Sequence, residues 1–453
     1  MIKVISTYGP AVSEDSMLER FCAESDVIRI NISHQTPSEA EKLFNKLRKF
    51  KKPIMIDTSG PEIRIRTSAK IEIRKGETVK IGMDESSMAY FDQRIWGMLK
   101  PRDKIYLNDG QSALELVSKS KDEMIFKSLD DVVIKDRAGV NVKGRPIKFP
   151  SLRDSDITVL ENTDPEFVAL SYTRTAADVK TARKHTDADI IAKIENYEGV
   201  RNIESILEVA DGVMVARGDL GIEVPEEKVP LIQKNIITLA NSYAKPSIVA
   251  TQVLYSMVSN PSPTRAEVSD VANAVLDGAD AILLSNETAV GKYPLNSIRV
   301  IRRVADSVAP YVYSKLHDCS SAKCIDPISD ILSRTIYTIA SKKEITKIVV
   351  ITRSGYAVRL ISRFKLPKSI IAITDDHIVA QKLNLFYNVI PVFWHAKPKQ
   401  NLVQRATLLC LENGLLKDDD TIIFTAAVRT KRPGWTNMIE VHNVKDMLEF
   451  FNF

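Results

Sequence analysis

Cysteine is scarce, with four residues in 453, at Cys22, Cys319, Cys324 and Cys410, and none at a paired or metal-ligand spacing. That excludes a disulfide-built scaffold and a cysteine-rich metal module, and it reads as reduced thiols in a cytoplasmic protein. No apolar run approaches the roughly 20 residues that a bilayer-spanning helix requires, so no membrane segment is expected. The opening Met1-Ile2-Lys3-Val4-Ile5-Ser6-Thr7 is short for a secretory apolar region and passes directly into Tyr8-Gly9-Pro10 turn chemistry. Neither charge sign is in clear excess. With 63 basic and 58 acidic residues the formal net charge is +5, which argues against a nucleic-acid-binding protein while leaving room for a local phosphate site. Internal repeats and low-complexity segments are absent.

What is present is enough apolar material, 44% of the residues, to fill several cores. At about 150 residues per domain the length predicts two to four domains. Between Asp189 and Gln252 three apolar runs, Asp189 to Ile194, Gly212 to Ala216 and Pro246 to Thr251, stop abruptly at polar or charged residues. They read as buried parallel strands separated by helix-length segments. The first is followed by Glu195 and carries Lys193, the second leads into Arg217, Gly218 and Asp219, and the third ends in Thr251 and Gln252. Reactive side chains at successive strand ends are how a (β/α)₈ TIM barrel builds its active site.

Strands at Ile2 to Ser6, Val27 to Asn31, Pro53 to Asp57, Phe167 to Ser171 and Ala281 to Ser285 bring the count to the eight which that fold needs. A helix is expected from a cap near Ser13, and others over Leu231 to Tyr243 and Arg265 to Leu276. From about residue 65 to residue 149 the helix signal fades into short alternating strands separated by turns such as Asp109-Gly110, which predicts an inserted all-β domain. The catalytic barrel is thus split over 1–64 and 150–318. After a polar boundary near Asp318 to Asp326, residues 325–453 alternate strand and helix again, with strands at Lys347 to Thr352, Ser369 to Thr374, Val389 to Trp394 and Thr421 to Thr425, as a separate C-terminal α/β domain.

Residue types at the strand ends point to phosphoryl chemistry. Glu195 and Asp219, from neighbouring strands, can share one hard divalent cation, by preference Mg²⁺, whose protein ligands are usually a few carboxylates. Lys193, two residues before Glu195, lies on the same side of its strand. Together they form an electropositive clamp in which catalysis is positioning and charge neutralisation. Read alone, Lys193 and Glu195 are equally a salt bridge on a barrel rim, and two other functions stay open. Lys193 could attack a ketoacid carbonyl in a Schiff-base aldolase, or the chain could be a catalytically silent ligand sensor.

The wording of the motifs carries a resemblance. Ala-Lys-Ile-Glu-Asn-Tyr-Glu-Gly at 192–199, Met-Val-Ala-Arg-Gly-Asp-Leu-Gly-Ile-Glu at 214–223, Ala-Thr-Gln at 250–252 and Pro-Ser-Pro-Thr-Arg-Ala-Glu-Val at 261–268 closely resemble the pyruvate kinases. The similarity is dense from Ser6 to Asn296. It thins to Gly139-Val140-Asn141 in the insertion, and to Thr352-Arg353-Ser354-Gly355, Arg359 to Arg363 and Gly434-Trp435-Thr436-Asn437 beyond. The resemblance implies phosphoryl transfer from phosphoenolpyruvate to ADP, with Lys193 neutralising the group in flight and Arg29 contacting it. It implies Glu195 and Asp219 as ligands of Mg²⁺ or Mn²⁺, and the Gly218 and Asp219 amides as the carboxylate site. Thr251 would lie near the carbon to be protonated, and His34 and Arg64 would contact nucleotide phosphates. Asn31, Ser33, Asp57 and Thr58 would hold K⁺, on which Glu62 after Gly60-Pro61 makes activity depend. A phosphorylated effector at Thr352, Ser354 and Gly355 and a homotetramer complete what it implies.

Several positions depart from the family pattern, among them Ile65, which stands where the K⁺-dependent pattern has threonine. Ser59 and Ala138 stand where lysines are usual, and Gln35 and Asn286 where glycines are. The Ala138 change puts one nucleotide contact from the insertion in doubt. Asparagine tolerates the left-handed backbone that a glycine at 286 would supply.

Overall fold

A computed structural model describes residues 1–33, 35–60, 63–92, 95–107, 112–142, 150–312, 326–395, 401–427 and 436–451. Eight short strands close a parallel barrel: β1 (Lys3–Thr7), β2 (Val27–Asn31), β3 (Ile54–Asp57), β4 (Phe167–Leu170), β5 (Asp189–Ile194), β6 (Gly212–Ala216), β7 (Ser247–Ala250) and β8 (Ala281–Leu284). Each strand pairs with its chain neighbours and β8 pairs back on β1, the (β/α)₈ order expected from the strand spacing. Nearly every strand residue is buried because helices cover the outer face and side chains fill the inside. Capping boxes start several of those helices, with Thr36 and Glu39 before Pro37–Arg48 and Thr264 and Glu267 before Arg265–Leu276 among them. The first helix, Asp15–Glu24, begins after Glu14 rather than at Ser13 and carries no side-chain cap.

Between β3 and β4 the described chain forms a second, seven-stranded closed barrel with its own core, built around residues such as Ile65, Ile81, Leu116 and Phe126. Its first strand is Ile63–Thr67, paired with Ala89–Phe91 and Ala138–Val142. The division expected between residues 64 and 65 therefore falls inside a strand, and Arg64 stands on the inserted barrel. Alternation Ile63-Arg64-Ile65-Arg66 already carries the period-two signal of that strand. The Asp109-Gly110 turn lies outside the described residues.

The C-terminal sheet comprises β9 (Lys347–Ile351), β10 (Ile370–Thr374), β11 (Val389–Phe393), β12 (Thr421–Ala426) and β13 (Met438–Asn443), in the order β11-β10-β9-β12-β13. The sequence reading omitted β13, an antiparallel edge strand with no fully buried residue and hence no apolar run to mark it. The 318–326 boundary lies almost wholly outside the described residues.

This sheet is fastened to the N-terminal end of the barrel, opposite the site. Leu385 is fully buried among Ile5, Val27, Met55, Phe167, Ile191 and Met214, and so closes the barrel interior from below. Around it, Lys365 pairs with Asp280, Lys382 with Asp189, and Lys3 Nζ donates to the Val389 carbonyl at 2.7 Å. Cys22 and Cys410 are buried free thiols, and burial pushes both up to about 12.

Candidate active site

Because every barrel strand runs the same way, their C-terminal ends meet at one rim, and the residues there converge. At its centre is the ammonium of Lys193, on β5. It lies 2.9 Å from Asp57 Oδ1, 2.9 Å from Glu195 Oε1 and 2.8 Å from Ser171 Oγ. Arg29, on β2, donates from Nε to Asp57 Oδ2 at 2.7 Å and from Nη1 to Thr7 Oγ1 at 2.9 Å. Asp57 is thus shared by two cations. Burial pushes its carboxyl up, but Arg29 and Lys193 outweigh this and hold it below the usual carboxylate range. Burial likewise opposes the charge on Lys193, and Asp57 and Glu195 overcome it, keeping the ammonium protonated well above the ordinary lysine range.

Glu195 is almost completely buried, and its second oxygen accepts the Tyr172 amide at 2.6 Å. Asp219 lies in the short helix Arg217–Glu223 that follows β6, next to β5 in the barrel. Two hard oxygen donors from adjacent strands, one of them fixed by a lysine and a backbone amide, suit a divalent cation that takes its other ligands from substrate and water. Among the described residues no three such donors gather into a fuller protein cage.

The amide of Gly218 donates to Thr251 Oγ1 at 2.7 Å, which brings two of the expected substrate groups into direct contact. Thr251 (φ 66°) and Gln252 (φ 53°) are both left-handed, a cost of roughly 1–2 kcal/mol each. Arg217 offsets that strain. It donates to the carbonyls of both residues while its other nitrogen grips Asp270. Backbone strain of this kind concentrates at functional sites.

Asn31 and Asp57 face each other in register on β2 and β3, and Asn31 Oδ1 accepts the Ser33 amide at 3.1 Å. Thr58 follows directly, its hydroxyl accepting the Ser171 amide at 3.0 Å. The proposed monovalent-cation set is therefore contiguous with the Lys193 cluster. Gly60, at φ 63°, passes so close that a Cβ there would stand 2.8 Å from the Ser171 Cβ. At Ser59, where the family resemblance leads one to expect lysine, the amide donates to Asp156, a carboxyl that burial pushes above its ordinary range. Asn286 is not among the left-handed residues and simply opens a helical turn, so the tolerance argued for it is not called on. Ala138 stands one residue from Gly139, the register partner of Arg64. His34 and Glu62 lie outside the described residues.

The loop after β9 lies far along the chain and on the other sheet. There Thr352 Oγ1 already accepts the Gly355 amide at 2.9 Å, ahead of the helix Tyr356–Ser362. The Gly434-Trp435 pair lies outside the described residues.

Four contributors were missed by sequence reasoning: Thr7, Ser171, Tyr172 and Glu287. Glu287 accepts the Leu254 and Ser285 amides and so ties the loops after β7 and β8. Each of the four stands at or just past a strand end, the position that pointed to Lys193. Ser171 was counted as the last residue of a strand.

A parallel eight-stranded barrel with a buried ammonium, a guanidinium and carboxylates gathered at its C-terminal rim suits an enzyme of the phosphotransferase class. Family models agree: the pyruvate kinase barrel domain matches residues 1–298 and the pyruvate kinase alpha/beta domain residues 330–442. Curated relatives include the pyruvate kinase of Staphylococcus saprophyticus, 35% identical over 475 positions that cover 98% of this chain and 81% of the relative. Those of Staphylococcus epidermidis and Staphylococcus aureus are 35% identical over 474 positions, covering 98% and 80%. The chain belongs to the pyruvate kinase family.

Proposed function

We propose that Lys193 is the group that neutralises the phosphoryl unit during transfer. The observation that carries this is its ammonium, buried at the barrel rim and held by Asp57, Glu195 and Ser171 at 2.8–2.9 Å. The enzyme is a pyruvate kinase of glycolysis, moving the phosphoryl group of phosphoenolpyruvate to ADP to give pyruvate and ATP. In this reaction an ADP oxygen attacks phosphorus, the bond to the enol oxygen breaks, and the resulting enolate takes a proton at its methylene carbon. Charge spreads over the phosphoryl oxygens in the transition state, so a fixed cation there is worth more than in the ground state. Arg29, locked by Asp57 and Thr7, would hold the phosphoryl group from the other side. Gly218 and Asp219 would take the substrate carboxylate, and Thr251, next to them, would direct the proton to the methylene carbon.

Pyruvate kinases depend on metal ions, and the residues here fit. Glu195 and Asp219 would hold Mg²⁺ or Mn²⁺, and Asn31, Ser33, Asp57 and Thr58 would hold K⁺. The divalent ion, when bound, supplies positive charge to substrate oxygens. His34 and Arg64 would meet the nucleotide phosphates, Arg64 from the inserted barrel, whose closed body would act as a lid. Further along, Thr352, Ser354 and Gly355 would take a phosphorylated effector, a reading supported by their place between strand and helix. A homotetramer is the assembly that the family resemblance implies. A cytoplasmic setting accords with buried, unpaired thiols. No helix among the described residues is long and apolar enough to cross a membrane.

The test is Lys193→Met, which keeps side-chain bulk and removes the charge. A coupled assay of pyruvate formation should show turnover lower by about 10²–10³, the typical loss for one preorganised electrostatic group. Near-normal turnover in the folded variant would overturn the assignment.

A further inference from the structure

The ammonium of Lys193 has three N–H bonds, and each has one acceptor: Asp57 Oδ1, Glu195 Oε1 and Ser171 Oγ. Two of these are carboxylates that the proposed cation sites also use. Ser171 is neutral, nearly fully buried, and has no assigned part in the reaction.

Its surroundings show why it is there. Ser171 follows the last residue of β4. Its hydroxyl has a single proton, directed at the Thr58 carbonyl at 2.7 Å, with Asp57 Oδ1 further off at 3.1 Å. With the proton spent on Thr58, a lone pair of the same oxygen is left to receive Lys193. The Ser171 amide meanwhile donates to the Thr58 hydroxyl at 3.0 Å, so main chain and side chain both bind the loop after β3. One residue on, Tyr172 turns into the left-handed region, φ 52°, and its amide reaches Glu195 Oε2 at 2.6 Å. Two consecutive residues at the end of β4 therefore hold the ammonium on β5, the carboxylate beyond it, and the loop on the opposite neighbour, β3.

We propose that Ser171 is a positioning residue for phosphoryl transfer: its hydroxyl, anchored on Thr58, fixes the third N–H of Lys193 and so sets where the ammonium stands between Asp57 and Glu195. Without that acceptor the ammonium keeps both carboxylates but can pivot about the line joining them. Positioning is what such a site contributes, since little covalent chemistry is asked of the protein. The inference rests on the proposed role of Lys193.

The experiment compares Ser171→Ala, Lys193→Met and the double variant in the full-length chain. Ser171→Ala should lower kcat by about 10-fold, the worth of one hydrogen bond to a charged group, with KM for phosphoenolpyruvate moving less than about threefold. Mn²⁺ affinity, read by electron paramagnetic resonance, should stay within about twofold, because Glu195 is held by the Tyr172 amide, which the substitution leaves in place. On the Lys193→Met background the same change should alter the residual rate by less than about twofold, since the partner it acts through is gone. An equal factor on both backgrounds, or a parallel loss of Mn²⁺ binding and thermal midpoint, would reduce Ser171 to a structural residue and overturn the proposal. Impaired Lys193→Met with unimpaired Ser171→Ala would sink this inference alone. Full turnover in Lys193→Met would sink the reading of Lys193, and this inference with it.

Discussion

Lys365→Met isolates the contact that joins the C-terminal sheet to the floor of the barrel. Both partners are sealed, the side chains of Lys365 and Asp280 being 1% exposed, with Nζ 2.5 Å from Oδ1. Methionine keeps the length and nearly the volume of lysine, so no cavity opens and the loss is chiefly that of the charge. Removing one member of a buried ion pair costs about 3–5 kcal/mol, because the other charge is left uncompensated. Here Asp280 keeps two donors, the amides of Tyr387 at 3.0 Å and Ser247 at 3.1 Å. Amide bonds to an ionised carboxylate are among the stronger ones, which places the expected loss near the lower end, at about 3 kcal/mol. Denaturant titration followed by circular dichroism should show the first unfolding transition shifted accordingly. A variant as stable as wild type would refute the reasoning.

Glu195→Gln and Asp219→Asn should each weaken Mn²⁺ binding, and a double-mutant cycle should show non-additive effects because the two carboxylates serve one ion; simple additivity would exclude a shared metal. Turnover in a buffer of organic cation, free of Na⁺ and K⁺, should be low and rise with K⁺, and Glu62→Lys should lessen that requirement by supplying the charge itself. Full activity without K⁺ would rule out the monovalent site. A thermal-shift screen of sugar phosphates and nucleotides should find a stabilising ligand whose effect is lost in Ser354→Glu; no shift with any of them would count against the effector loop.

Much of this molecule was legible in its sequence because the information is local. A buried parallel strand needs a short apolar run, and a run that stops at a charged residue marks both a strand end and the rim of a barrel. The Asp189–Ile194, Gly212–Ala216 and Arg265–Leu276 elements lie where their patterns place them. Lys193, Glu195 and Thr251 were visible for the same reason, whereas Arg29 and Asp57 were named through the family resemblance. The strand β13 was not, since an edge strand with no buried face has no periodic signal. The start of the inserted barrel was misplaced because its first strand, Ile63–Thr67, begins so soon after β3 along the chain.

What only the tertiary structure decided is pairing. Asp57 and Lys193 are 136 residues apart, and no local pattern says that one carboxylate serves both Lys193 and Arg29. Ser171, an unremarked serine at the end of an apolar run, becomes the third partner of Lys193 only when β4 is laid between β3 and β5. Leu385 reads as one more apolar residue of the C-terminal domain until the fold places it under the barrel. Hydrophobic periodicity is set by each element's own geometry, so it is written along the chain. Which charged and polar groups meet is set by strand register and domain docking, which depend on all the elements at once.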